Sequence, residues 1–270
     1  MKKYFAVSDV HSFTDRMLTA LGDSGFDETN PEHIVIICGD AFDRGDHSDG
    51  MFNWMHRMAE LNRLIYVRGN HEDLLEDCVF AIRKGLDIGY HHITNGTIKT
   101  IASIVGCSIY EVLDRTFEWS VFNAKIDELL NFINSKSVDY FQLGNTVFVH
   151  GWVPTTCDKH RKTIVHENWR DGDWKDARWS NGQKMFYKKL VPDDITTIVC
   201  GHWHVSWGWS VIKDMCPEWG EGAIFDALVH YDASLNSRLV ALDACTAYTN
   251  KVNCVVFDED GIIIDNKYSL

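Results

Sequence analysis

At 270 residues, with 45% hydrophobic residues and only four prolines, the chain is long enough for one large α/β domain and too apolar for a disordered one. Its net charge of −13 argues against a broad duplex nucleic-acid surface, which needs clustered Lys and Arg. No apolar run approaches the roughly 18 residues of a membrane span.

Apolar runs rich in Val, Ile and aromatic residues punctuate the chain and predict strands. The first, residues 4 to 8, ends at Asp9-x-His11, and residues 14 to 22 then carry helical periodicity through Met17, Leu18 and Leu21. A second strand over 34 to 38 leads into Gly39-Asp40-x-x-Asp43-Arg44-Gly45, followed by a helix over 51 to 62. A third over 64 to 67 leads into Gly69-Asn70-His71-Glu72, followed by a helix over 72 to 84. Residues 74 to 140 carry no motif and read mostly helical, with a turn at Asn95-Gly96 and a helix over 123 to 134. No Pro- or Ser-rich linker flanks them, so they are expected to be an insertion in a single domain spanning 1 to 270.

Strands over 146 to 149 and 196 to 200 precede Val149-His150-Gly151 and Gly201-His202-x-His204. Between these two blocks, residues 155 to 189 hold nine Lys or Arg against five Asp or Glu, and eight of the ten tryptophans lie between Trp152 and Trp219. This island reads either as a solvated basic face beside an aromatic core or as a wall of a phosphate-attracting cleft. Residues 238 to 265 return to β patterning, with a terminal hairpin expected to close at Asp260-Gly261.

Eight cysteines form no C-x-x-C pair, and several, such as Cys38, Cys200 and Cys254, sit in strand-like runs, as reduced core thiols do. The first motif begins only eight residues after Met1, where a cleaved leader would remove it; a cytoplasmic chain is therefore expected.

Each motif block is weak alone. A D-x-H arises often by chance, and a His before Gly more often fills a core or a turn. Together, Asp, His, Asp, Asn, His, His and His follow successive strands, which is where open α/β sheets place their sites. They offer oxygen and imidazole donors without a thiolate, the mixture that two adjacent hard or borderline divalent metals prefer.

Ser8-Asp9-Val10-His11, Gly39-Asp40-Ala41-Phe42-Asp43-Arg44-Gly45 and Val67-Arg68-Gly69-Asn70-His71-Glu72 resemble the signatures of the calcineurin-like metallophosphoesterases. They are most similar to the phosphoprotein phosphatase branch, which also holds bacterial and phage Ser/Thr phosphatases and symmetrical diadenosine tetraphosphatases. Leu242-Asp243-Ala244-Cys245 with Tyr248 is a weaker echo of that branch. The resemblance implies a four-layer αββα sandwich with a mainly helical insertion.

By the same resemblance, Asp9 and His11 hold a first metal, Asp40 bridges two, and Asn70, His150 and His202 hold the second. His204 contacts the first metal or its hydroxide, a departure from the branch, which usually lacks that histidine. His71 matches the general acid with Asp43 as its partner, and Arg44 and Arg68 match phosphoryl clamps. A third arginine is sought among Arg161, Arg170 and Arg178, with Arg178 preferred between Trp174 and Trp179.

The implied activity is hydrolysis of phosphomonoesters by a metal-activated hydroxide, of the Ser/Thr protein phosphatase type. Diadenosine tetraphosphate or another nucleotide is the alternative substrate, and a non-catalytic metal-binding interaction module is the alternative class. Two divalent metals are implied, manganese first, with iron, zinc or cobalt compatible with the same donors. The expected partner is a phosphoprotein or nucleotide, with neither a membrane nor nucleic acid.

Overall fold

A computed structural model describes residues 1–204, 222–227 and 236–264. Two five-stranded sheets carry the architecture. The first is ordered β12-β1-β2-β3-β4, from Val255–Phe257 (β12), Lys3–Val7 (β1), His33–Cys38 (β2), Leu64–Val67 (β3) and Ser137–Val138 (β4). Its four members β1 to β4 run parallel, and β12 closes one edge antiparallel to β1. The second is ordered β10-β11-β9-β6-β5, from Phe225–Asp226 (β10), Arg238–Ala241 (β11), Thr197–Cys200 (β9), Thr146–Phe148 (β6) and Phe141–Leu143 (β5). Here β11, β9 and β6 are parallel.

Alternation along the strands explains why the sheets stack. Tyr4, Ala6, Ile34, Ile36 and Cys38 of the first sheet meet Phe148, Val199, Val240 and Leu242 of the second in one buried layer. The odd-numbered partners Phe5, Val7, Val35 and Ile37 point the other way, into helices Thr14–Asp23 (α1), Ser48–Glu60 (α2), Asn70–Lys84 (α3), Thr97–Val105 (α5) and Trp119–Lys136 (α7). On the far face of the second sheet, Val147, Ile198 and Leu239 pack against Trp152, Trp169, Trp174, Ala177 and Phe186. The result is the expected four-layer αββα sandwich. Because β2 is buried on both faces, its run His33–Cys38 is almost continuously apolar rather than alternating.

Helices α2 and α3 begin three and two residues before the sequence periodicity suggested, since Ser48, Asn70 and His71 are buried helical residues despite their polarity. The expected Asn95-Gly96 turn joins Tyr90–Thr94 (α4) to α5. A correction concerns the C-terminal strands. Residues 238 to 241 pair parallel to β9 in the second sheet, whereas β12 pairs with β1 in the first, so they do not form one hairpin. The turn at Asp260-Gly261 closes only the short Phe257–Ile263 bridge. Of the cysteines, Cys38, Cys200 and Cys254 are buried as expected, Cys157 is exposed, and Cys216 lies outside the described residues, as do Trp207, Trp209 and Trp219. No helix among the described residues is long and apolar enough to cross a membrane.

Candidate metal centre

The loops that leave β1, β2, β3, β6 and β9 at their C-terminal ends converge. Asp9, His11, Asp40, Asn70, His71 and His150 are all nearly inaccessible to solvent, and His202 is partly buried beside them. The turns are tight enough to force positive φ at Asp9, His11, Asp40, Asp43, Arg44 and His202, which are not glycines. Such conformations cost about 1–3 kcal/mol each and persist where the surroundings over-determine them. Gly201 supplies the closest approach: a Cβ there would lie 1.9 Å from Ser8 Oγ and 2.1 Å from Asp9 Oδ2, and one on Gly39 would lie 2.4 Å from the His150 imidazole.

Two groups of potential ligands share one carboxylate. His11, Asp40 and His71 form one, and Asp40, His150 and His202 form the other, with the donor atoms in each within 4.8 Å of one another. Main-chain carbonyls fix the imidazoles: His11 Nδ1 lies 2.8 Å from Phe42 O, and His150 Nδ1 lies 2.9 Å from Cys38 O. A proton on each Nδ1 leaves each Nε2 lone pair directed inwards. His150 Nε2 then faces Asn70 Oδ1 at 2.8 Å and Asp40 Oδ1 at 3.3 Å. Asp9 Oδ2 accepts from the Ser8 hydroxyl at 2.6 Å and from the His202 amide at 2.9 Å.

This donor set fits divalent cations. Asp9 and Asp40 are each 2% exposed, and among the described residues no Lys or Arg lies within ion-pair distance of either. Burying an uncompensated carboxylate costs several kcal/mol. The strain is visible in the protonation equilibria. Burial, reinforced by Asp40, pushes Asp9 up to about 6. Burial opposes charge on His150 as well, yet Asp40 and Asp9 outweigh it and raise that imidazole to about 10. His202 moves the other way, to about 3, through burial and the neighbouring His150.

His71 is held differently. Its Nδ1 lies 2.8 Å from Asp43 Oδ2, and its Nε2 lies 3.8 Å from Asp40 Oδ2. Burial disfavours the imidazolium, but the Asp40 and Asp43 carboxylates prevail and raise its pKa above the ordinary value. Asp43 is itself pinned by hydroxyls from α5: Thr97 Oγ1 donates to Oδ2 at 2.9 Å and Thr100 Oγ1 to Oδ1 at 2.8 Å. Glu72 clasps the second and third blocks by accepting from the amides of Asp40, Ala41 and Gly69 at 3.1, 3.0 and 2.8 Å.

The arginines divide. The Arg44 guanidinium reaches within 3.5 Å of His71 Nε2 and has no carboxylate partner among the described residues. Arg68 spends three nitrogens on Asp73, Asn134 and Glu76, at 2.7, 2.8 and 2.8 Å. Arg178 is buried on Asp73 at 3.1 Å and Asp139 at 2.7 Å. His204 is partly buried and joins neither three-residue group among the described residues. Burial and the Asp9 charge push Asp243 up to about 8.

A family model described as calcineurin-like phosphoesterase matches residues 2–206, a span that includes every residue of both ligand groups. The chain belongs to this family. The phosphoesterase shares its fold with a cold-active protein tyrosine phosphatase, at 15% identity and a TM-score of 0.54 over 97% of this chain and 78% of the other. A structure of the protein tyrosine phosphatase of a psychrophilic Shewanella gives 14%, 0.50, 97% and 80%. For a protein serine/threonine phosphatase from Saccharomyces cerevisiae the corresponding values are 14%, 0.48, 90% and 67%. A comparison with curated proteins gave no match. The chain is thus a metallophosphoesterase, a hydrolase of phosphorylated substrates with His and Asp clusters that could hold metal.

Thr97, Thr100, Glu72 and Asp73 escaped the sequence reading as supports. Glu72 was visible only as the last letter of a motif, and the two threonines have no local signal: their partner Asp43 lies more than fifty residues away in the chain.

Proposed function

We propose that this phosphoesterase is a phosphomonoesterase of the Ser/Thr protein phosphatase type. The observation that carries the reading is the clasp of His71 by Asp43 beside the carboxylate shared by both ligand groups. It presents a charged imidazole where a leaving oxygen needs a proton. Asp9 and His11 would hold one divalent cation, Asn70, His150 and His202 the other, with Asp40 between them and His204 at the margin. Manganese is the first candidate and iron, zinc or cobalt the alternatives. Cations held by these residues would supply polarisation of phosphoryl oxygens and a water of lowered pKa.

The chain's own groups account for the rest. Arg44 binds the phosphoryl oxygens through its planar donors and thereby orients phosphorus. His71 donates its Nε2 proton to the departing alkoxide, and Asp43 keeps the ring charged and fixed until then. Arg68 ranks behind Arg44 as a phosphoryl clamp, because it is 9% exposed and each of its three guanidinium nitrogens already meets a side chain. A cleft of about 690 Å³ opens past Ser12, the neighbour of His11, and is lined by Phe13, Arg16, His47 and Asn250. It gives room for a substrate body larger than phosphate. We read residues 1–270 as one such domain, with about 74–140 inserted to buttress Asp43, in a reducing cytoplasm that suits buried thiols such as Cys38, Cys78 and Cys200.

A substrate panel with added manganese tests this reading. Aryl phosphate and phosphoserine or phosphothreonine peptides should be hydrolysed faster than diadenosine tetraphosphate or a cyclic nucleotide. Preference for diadenosine tetraphosphate moves the substrate to nucleotides, and no turnover of any member defeats the enzyme reading.

A further inference from the structure

We propose that the segment Ala177-Arg178-Trp179 is a brace for the second set of metal ligands, fastened by the Arg178–Asp73 ion pair, and that Arg178 is a positioning residue rather than a phosphate clamp. The proposal rests on the metal-centre reading above. Three contacts carry it, one to the surroundings of each ligand. Ala177 O accepts from the Trp152 amide at 3.0 Å, and a Cβ on Gly151 would lie 2.6 Å from Ala177 O and 2.5 Å from Arg178 O. The segment therefore lies against the turn that carries His150. The Trp179 and His202 rings stand edge to face with centroids 5.9 Å apart. Finally, Arg178 Nη1 reaches Asp73 Oδ2 on α3, the helix whose first residue is Asn70.

One short stretch thus touches the settings of His150, His202 and Asn70, which come from three strand ends far apart in sequence. Asp73 also takes Arg68 Nε on its other oxygen, so one carboxylate ties the third block to the brace. Arg178 is 9% exposed and both terminal nitrogens already face carboxylates, which leaves little of it to meet an incoming phosphate. Groups that orient ligands without binding the metal commonly change metal affinity by about 10–100-fold when removed.

The test compares Arg178→Gln, Arg178→Lys, Asp73→Asn and Asp139→Asn with the parent by manganese titration calorimetry of the full chain, with metal content measured after desalting. Circular dichroism and a melting curve establish folding of each. The proposal expects the parent to bind two manganese ions. Arg178→Gln and Asp73→Asn should weaken one site by about tenfold or more and spare the other, and Arg178→Lys should restore most of the loss. Asp139 is half exposed, and Asp139→Asn should change little. At saturating manganese, KM for an aryl phosphate should stay within about twofold of the parent. Two unchanged manganese affinities in folded Arg178→Gln or Asp73→Asn, with KM raised instead, would overturn the brace in favour of a phosphate clamp. If Arg178→Gln fails to fold, the Asp73→Asn titration decides. A parent that binds no manganese defeats the metal-centre reading, and the brace with it.

Discussion

The two sheets contribute to the centre in different ways. The first supplies Asp9, His11, Asp40, Asn70 and His71 from three consecutive strand-to-helix turns, and these are stitched together by Glu72, Thr97 and Thr100 in a buried web. The second supplies His150 and His202 from strands β6 and β9, whose loops meet Ala177–Trp179 through the Trp152 amide and the Trp179 ring. On one side ligands are fixed by side chains that could be deleted singly. On the other they lean on a short backbone stretch kept in place by packing and a buried ion pair, with the Cys38 carbonyl on His150 and the Asp9 carboxylate on the His202 amide as ties to the first sheet. The lesson is that equal-looking motif histidines can differ in what secures them.

The sharpest way to break this contrast is at the residue common to both sides. Asp40→Ala should abolish both manganese sites and cost more than the roughly 10²–10⁴-fold that a general acid contributes, measured as kcat/KM on an aryl phosphate. Next comes His71→Ala, expected to lower kcat by about 10²–10⁴-fold for a poor leaving group and less for an aryl phosphate, whose oxygen needs little protonation. Its pH dependence sharpens the point. Burial lowers the His71 pKa, but Asp40 and Asp43 raise it further, so the imidazolium persists above the ordinary value and kcat should fall only as pH rises past the raised one. Asp43→Asn removes one of the raising carboxylates and should shift that alkaline limb to lower pH.

A smaller effect is expected from Thr100→Val. It strips one donor from the buried Asp43 carboxylate and leaves the Asp43 amide without its acceptor, for a loss of about 1–3 kcal/mol in denaturant unfolding. The Asp43–His71 geometry should loosen with it. The smallest effect belongs to the basic hairpin of Thr155–Cys157 and Thr163–Val165, where Lys159, Arg161 and Lys162 are exposed. Replacing Lys162 with Ala should alter stability by no more than about 0.5 kcal/mol.

Legibility followed the same division. The strands and the first three blocks were readable because each ligand sits beside its own apolar run, so period, placement and chemistry agree within about a dozen residues. Sheet membership was not readable at the C-terminus: Arg238–Ala241 and Val255–Phe257 have similar β patterns, and only their backbone pairing, with β9 and with β1, assigns them to opposite sheets. Arg178 could be noticed between two tryptophans, but its partners Asp73 and Asp139 are 105 and 39 residues away. The motifless stretch 74 to 140 looked passive for the same reason. Its Asn95 carbonyl accepts from the Arg44 amide, and a Cβ on Gly96 would lie 2.4 Å from that nitrogen, so the predicted turn is shaped to lie against the second block.

The central claim is that one buried carboxylate, Asp40, joins two metal sites into a phosphatase centre. The most direct test is manganese titration of metal-depleted parent and Asp40→Asn protein, with aryl phosphate hydrolysis followed at each addition. The parent chain should take up two manganese ions, with activity rising at the second, and Asp40→Asn should lose both binding and turnover. Full activity with one ion or none, or an Asp40→Asn protein that binds and turns over like the parent, would contradict it.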